Sequence, residues 1–164
     1  MSTTHSIKKC DHTSVGILVW KNDRLLLIER KRFPFGFAPP AGHVDGDASF
    51  EIAALRELKE EVNLDITHID LLIEGKKDNH CRREGGDWHY WKIYTADAVG
   101  ETRANSNEVK QIVMLDLEGI SKLARKTEAY FSKEISEEEW QARPGLECVW
   151  YEWFKMLDLI KATP

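Results

Sequence analysis

GHVDGDASFEIAALRELKEEVNL, residues 42–64, is the stretch on which the reading of this chain turns. Its second half, Arg56-Glu57-Leu58-Lys59-Glu60-Glu61, reads as the last turns of a helix. At 3.6 residues per turn, Glu57, Glu60 and Glu61 fall within an arc of about 100°. Ala54, Leu55, Leu58 and Val62 fall on another face, suited to a core. Asp47 and Ser49 are both good N-caps, and Asn63 can close the helix in a left-handed conformation.

A solvated acidic surface helix is one reading of this pattern. The placement of the carboxylates argues for another. They crowd the C-terminal end, where the macrodipole is already negative and Lys or Arg is preferred. Three carboxylates on one face also repel one another. A hard divalent cation resolves both conflicts, because oxygen donors on a rigid face suit magnesium or manganese. Breaking a local rule in this way is a mark of a functional site.

These residues resemble the Nudix box, G-x5-E-x7-R-E-U-x-E-E-x-G-U with U apolar. Gly42, Arg56, Glu57, Leu58, Glu60, Glu61 and Leu64 match. Ala48 stands where the first Glu belongs and Asn63 where the second Gly belongs. Asn accepts the same cap conformation, whereas Ala48 is the loss of a carboxylate. The resemblance implies an α/β/α sandwich around a mixed sheet, and metal-dependent hydrolysis of a pyrophosphate bond in a nucleotide. It implies Mg2+ or Mn2+ on Glu57, Glu60 and Glu61, with the carbonyl of Ala41 and a glutamate outside the box, here Glu108, as further ligands or base. Gly42 lets the backbone pass close to such a site. Arg56 can orient a neighbouring carboxylate such as Glu60, four residues on; an ordinary helix ion pair is its alternative role.

Substrate contacts rest on residue type. Arg30, Lys31 and Arg32 can meet phosphate or serve as a solvated strand edge. Phe33, Phe35, Trp88 and Tyr90 can stack a base or pack. Because Ala48 departs from the box, a nucleotide-binding or regulatory module with weakened catalysis is the rival to the enzyme. An isoprenoid diphosphate isomerase would need a reactive Cys, and none lies near the box in sequence.

The 164 residues suffice for one well-filled domain. A composition of 42% hydrophobic and 31% charged residues is that of a globular protein. The net charge of −5 argues against a surface that coats nucleic acid; a small anionic nucleotide is the expected partner. No apolar run is long enough for a bilayer, and the start of the chain lacks a secretory h-region. Cys10, Cys81 and Cys148 are odd in number and far apart, which suggests reduced thiols and a cytoplasmic location. Cys10-Asp11-His12 alone is a weak metal signal, and His43 reads as structural or peripheral.

Residues 1–12 read as a polar tail and residues 13–164 as the domain. Residues 13–20 and 24–30 form a hairpin about Lys21-Asn22-Asp23. A Pro-rich loop follows, with a short strand at Phe37. Residues 66–77, 87–99 and 109–115 read as strands. In the second of these, Trp88, Tyr90 and Tyr94 face one way, and His89, Trp91 and Ile93 the other. Asp116 caps a helix reaching about Tyr130. Ser136 caps a short acidic one, and residues 146–160 form the last.

Overall fold

The computed structural model describes residues 8–161. Most of the expected polar tail lies outside them. Of that tail, Lys8 to His12 are described, and Cys10 is buried.

Strands β1 (Thr13–Lys21) and β2 (Arg24–Arg30) form an antiparallel hairpin. Asn22 and Asp23 both have positive φ, as a two-residue hairpin turn demands. Two short strands follow, β3 (Phe37–Ala38) and β4 (Ala41–Gly42). Helix α1 (Phe50–Val62) leads into β5 (Asp65–Lys77), β6 (His89–Val99) and β7 (Val109–Leu115). The sheet runs β3-β2-β1-β6-β5, with β4 paired to β1 and β7 to β2. Only β1 and β6 pair in parallel among the named strands; the sheet is therefore mixed. Helices α2 (Leu117–Phe131), α3 (Glu137–Ala142) and α4 (Cys148–Met156) complete the chain.

Near-continuous apolar runs in β1 and β2 follow from burial on both faces. Val15, Ile17, Val19, Leu26 and Ile28 pack under α1 with Ala54, Leu58 and Val62. Leu18, Leu25 and Leu27 face the other way, onto Ile120 of α2 and Trp150, Trp153 and Phe154 of α4. The result is the expected α/β/α layering. Strand β6 alternates as its sequence predicts, with Trp91 and Ile93 in one core and Tyr94 in the other.

Two local expectations are corrected and one alternative is resolved. Leu55 does not join the core; it is exposed, because the buried stripe of α1 runs through Ala53, Glu57 and Glu61 beside Ala54, Leu58 and Val62. Of the two N-cap candidates, Ser49 caps α1, its hydroxyl accepting from Ile52 N. The last helix is shorter than 146–160, because Leu146 bridges to Phe37 in extended conformation before α4 begins.

Candidate active site

The carboxylates of α1 are delivered by its helical period. Glu57 and Glu61, four apart, share the buried stripe and face the end of β4. Ala41 N donates to Glu61 Oε2 at 3.2 Å, the one hydrogen bond this buried carboxylate receives among the described residues. A Cβ on Gly42 would come within 2.1 Å of the Glu57 carboxyl, so only glycine lets strand and carboxylate approach this closely. Asn63 ends the helix with φ 65°, as the cap chemistry predicts. Beyond it, Arg103 N and Asn105 N donate to the free carbonyls of Val62 and Glu61. That contact brings the following loop, with Glu108, to the helix end.

Arg56 spans the box. Its Nε donates to Asp47 Oδ2 at 2.8 Å, one Nη to Glu57 Oε1 at 2.8 Å and the other to the His43 carbonyl at 2.8 Å. Glu60 Oε2 is a longer fourth partner at 3.3 Å. Arg56 is thus primarily the clamp of Glu57 and the preceding loop, with Glu60 a lesser partner. Asp47 belongs to this clamp. Ala48 is exposed and lies off the cleft.

The cleft beside these groups is lined by Arg30, Arg32, Phe33, Ala41, Gly42, Glu57, Glu61, Glu108 and Glu147, together with residues 79–83. Glu60 is half-exposed and does not line the cleft, but its carboxylate shares one Arg56 nitrogen with that of Glu57. Lys31 and Phe35 also lie off the lining, and Lys31 donates to the Ser106 carbonyl instead. Trp88 stacks on His12 with centroids 4.0 Å apart, and Tyr90 is exposed; neither lines the cleft. Arg30 is held by its bond to the Pro34 carbonyl at 2.7 Å.

Electrostatics mark the same place. Burial pushes the Glu57 carboxyl up to about 7 despite the adjacent Arg56 guanidinium. Burial, and then the charge of Glu57, hold Glu61 well above the ordinary carboxylate range. Glu147, wholly buried, is pushed up to about 7 by burial against the opposing charge of Arg30. Buried carboxylates with so few donors fit a hard cation, which would supply the missing positive charge. Glu147 escaped the sequence reading. It is brought in by the bond from Glu147 N to the Phe37 carbonyl. Its only local signal is an isolated charge between Leu146 and Cys148-Val149-Trp150 at a helix start.

The comparisons with known proteins agree with this geometry. The NUDIX domain family model matches residues 11–138. An ADP-ribose pyrophosphatase of Methanocaldococcus jannaschii is 32% identical over 118 residues, which span 69% of this chain and 68% of that protein. A MutT NUDIX hydrolase from Burkholderia pseudomallei superposes with a TM-score of 0.57 at 26% identity, covering 65% of this chain and 84% of the other. The NUDIX domain of Shewanella oneidensis NrtR, solved with ADP ribose, matches in fold with a TM-score of 0.57 at 20% identity, covering 70% of this chain and 78% of that one. With Gly42, Glu57 and Glu61 of the box gathered at one cleft and the family's model matched over most of this chain, the chain belongs to the Nudix family of pyrophosphohydrolases.

Proposed function

We propose that this protein hydrolyses the pyrophosphate bond of a nucleoside diphosphate linked to a further group, with ADP-ribose as the first substrate to try. The observation that carries the reading is the pair Glu57 and Glu61, buried side by side in a cleft that also holds Arg30 and Arg32. The ADP-ribose pyrophosphatase relative supports the linked diphosphate as the substrate class.

Glu57 and Glu61 would hold Mg2+ or Mn2+, with Glu60 and the Ala41 carbonyl completing the donor set. When bound, the cation neutralises phosphate charge and lowers the pKa of a water. The chain's own residues do the positioning. Arg56 fixes the Glu57 carboxylate and the box loop from three directions. Arg30 and Arg32 neutralise the non-bridging oxygens of the diphosphate. Glu108, at the cleft mouth, joins the cation or takes the proton of the attacking water. Glu147, on the same cleft lining, sets an opposing charge near Arg30. Phe33, at the cleft wall and half-exposed, is the aromatic platform for a base.

The test is product analysis over a panel of ADP-ribose, other nucleoside diphosphate conjugates and nucleoside triphosphates, with magnesium or manganese. Release of AMP and ribose 5-phosphate from ADP-ribose, well above turnover of the triphosphates, is the expected result. Binding of ADP-ribose without turnover under every metal condition would favour the weakened module that Ala48 raises.

A further inference from the structure

Cys10, His43, Cys81 and His89 bring one ligand atom each into a group whose members all lie within 4.8 Å of one another. We propose that these four residues bind a structural Zn2+ ion, separate from any cation on Glu57 and Glu61, and that this zinc pins the box loop to the 79–83 segment of the cleft lining.

The distances have the dimensions of a zinc site. Zinc–sulfur bonds of about 2.3 Å and zinc–nitrogen bonds of about 2.0 Å, at the tetrahedral angle, put sulfur and nitrogen about 3.5 Å apart. Cys10 Sγ lies 3.5 Å from His43 Nε2 and 3.4 Å from His89 Nε2. The surroundings turn lone pairs inward. His89 Nδ1 lies 3.0 Å from the Asn79 carbonyl, which can only accept, so Nδ1 carries the proton and Nε2 is left as a donor to metal. The backbone N–H groups of His12 and Arg83 donate to the sulfurs of Cys10 and Cys81 at 3.3 and 3.4 Å, which suits thiolates.

The backbone around the group is built for it. Cys10 N donates to the Glu84 carbonyl, and Cys81 N to the Gly86 carbonyl, so two separate segments are tied beside the sulfurs. A Cβ at Gly86 would come within 2.2 Å of Cys81 Sγ, so glycine is required there for the sulfur to fit. Two thiolates and two neutral imidazoles around Zn2+ carry no net charge, which lets a half-buried site stand without a counter-ion. Binding releases the two thiol protons to solvent. Four protein ligands leave no open position, so the site is structural and takes no part in the chemistry.

Its consequence for the cleft runs through His43. The residue follows Gly42, and its carbonyl accepts from Arg56. Cys81 lies within the 79–83 segment, which also lines the cleft. One ion therefore joins the loop that carries the box to that segment.

The test is metal content of the full chain, purified under reducing conditions without chelator, by mass spectrometry. About one zinc per chain is expected, and Cys81→Ser and His89→Asn should each lose it, while Glu61→Gln keeps it. That last variant separates this site from the hydrolytic one. Should the variants fold poorly, Co2+ titrated into stripped, reduced wild type gives an independent readout. Tetrahedral d–d bands with sulfur-to-cobalt charge transfer, abolished by competing zinc, are expected. No zinc in protein from zinc-supplemented cells, together with no such spectrum, would overturn the proposal. So would a Cys10–Cys81 disulfide persisting under reductant, or undiminished zinc in both variants.

Discussion

The Ala41 N–H points at Glu61 Oε2 from 3.2 Å, so the strand that opens the box holds the carboxylate that ends it. Twenty residues of loop and helix close on one hydrogen bond. The closure places Glu61 beneath the same backbone whose carbonyl is a proposed cation ligand.

Glu61→Gln keeps this hydrogen bond and removes the charge. Turnover should fall at least about a hundredfold, on the order of 3 kcal/mol in the barrier. In buffer free of divalent ions the variant should be more stable than wild type, because a buried carboxylate crowded by Glu57 is gone. Steady-state kinetics and thermal denaturation check both halves. Near-normal turnover would remove Glu61 from the site.

The pH dependence of stability follows from Glu57. An unfolded glutamate ionises near 4.5, and burial holds Glu57 at about 7. Between those values the unfolded state gives up a proton that the folded state keeps. This group therefore costs nothing below pH 4.5, costs progressively more as pH rises to 7, and reaches a plateau above. Comparing wild type with Glu57→Gln without divalent ions, the variant's stability advantage should grow between pH 4.5 and 7. A difference independent of pH would contradict the assignment. Saturating magnesium should reverse the order at pH 8.

Arg56→Lys retains charge and loses the planar fork that reaches Asp47, Glu57 and the His43 carbonyl together. Turnover should drop tenfold or more, with about 1–2 kcal/mol of stability lost. Asp47→Asn keeps an acceptor for Arg56 and should cost less on both counts. Equal losses from the two variants would mean that charge at Asp47, rather than the fork, is decisive. Ala48→Glu should change turnover only modestly, since position 48 is exposed and off the cleft.

Two carboxylates outside the box are distinguishable by kinetics. Glu108→Gln should act on kcat, about ten- to a hundredfold. Glu147→Gln works through Arg30, so its effect should appear chiefly in KM. The opposite pattern would exchange their roles.

What was legible in the sequence was local. The Asn22-Asp23 turn, the Asn63 cap, the Asp116 and Ser136 caps and the alternation of β6 each depend on residues a few positions apart. The arc containing Glu57, Glu60 and Glu61 was legible too. Which side of that arc meets β4 was not, because it depends on how α1 rolls onto the sheet; Glu57 and Glu61 are buried there, Glu60 is half-exposed and Leu55 is left in solvent. Glu147 and the Cys–His group were hidden for a different reason. Cys10, His43, Cys81 and His89 come from four separate segments with no short ligand spacing, and the parallel pairing of β1 with β6, the β1–β4 pairing and the bridge from Lys9 to Glu84 bring them together.

The most direct measurement is hydrolysis of ADP-ribose by the purified chain in buffer cleared of free divalent ions, before and after magnesium is added, beside Glu61→Gln. The prediction is no detectable turnover without the added ion, saturable activation by magnesium in wild type, and at least a hundredfold less in the variant. Undiminished hydrolysis without free divalent ions, or a Glu61→Gln protein as active as wild type, would contradict a catalytic cation held by the carboxylates of the box.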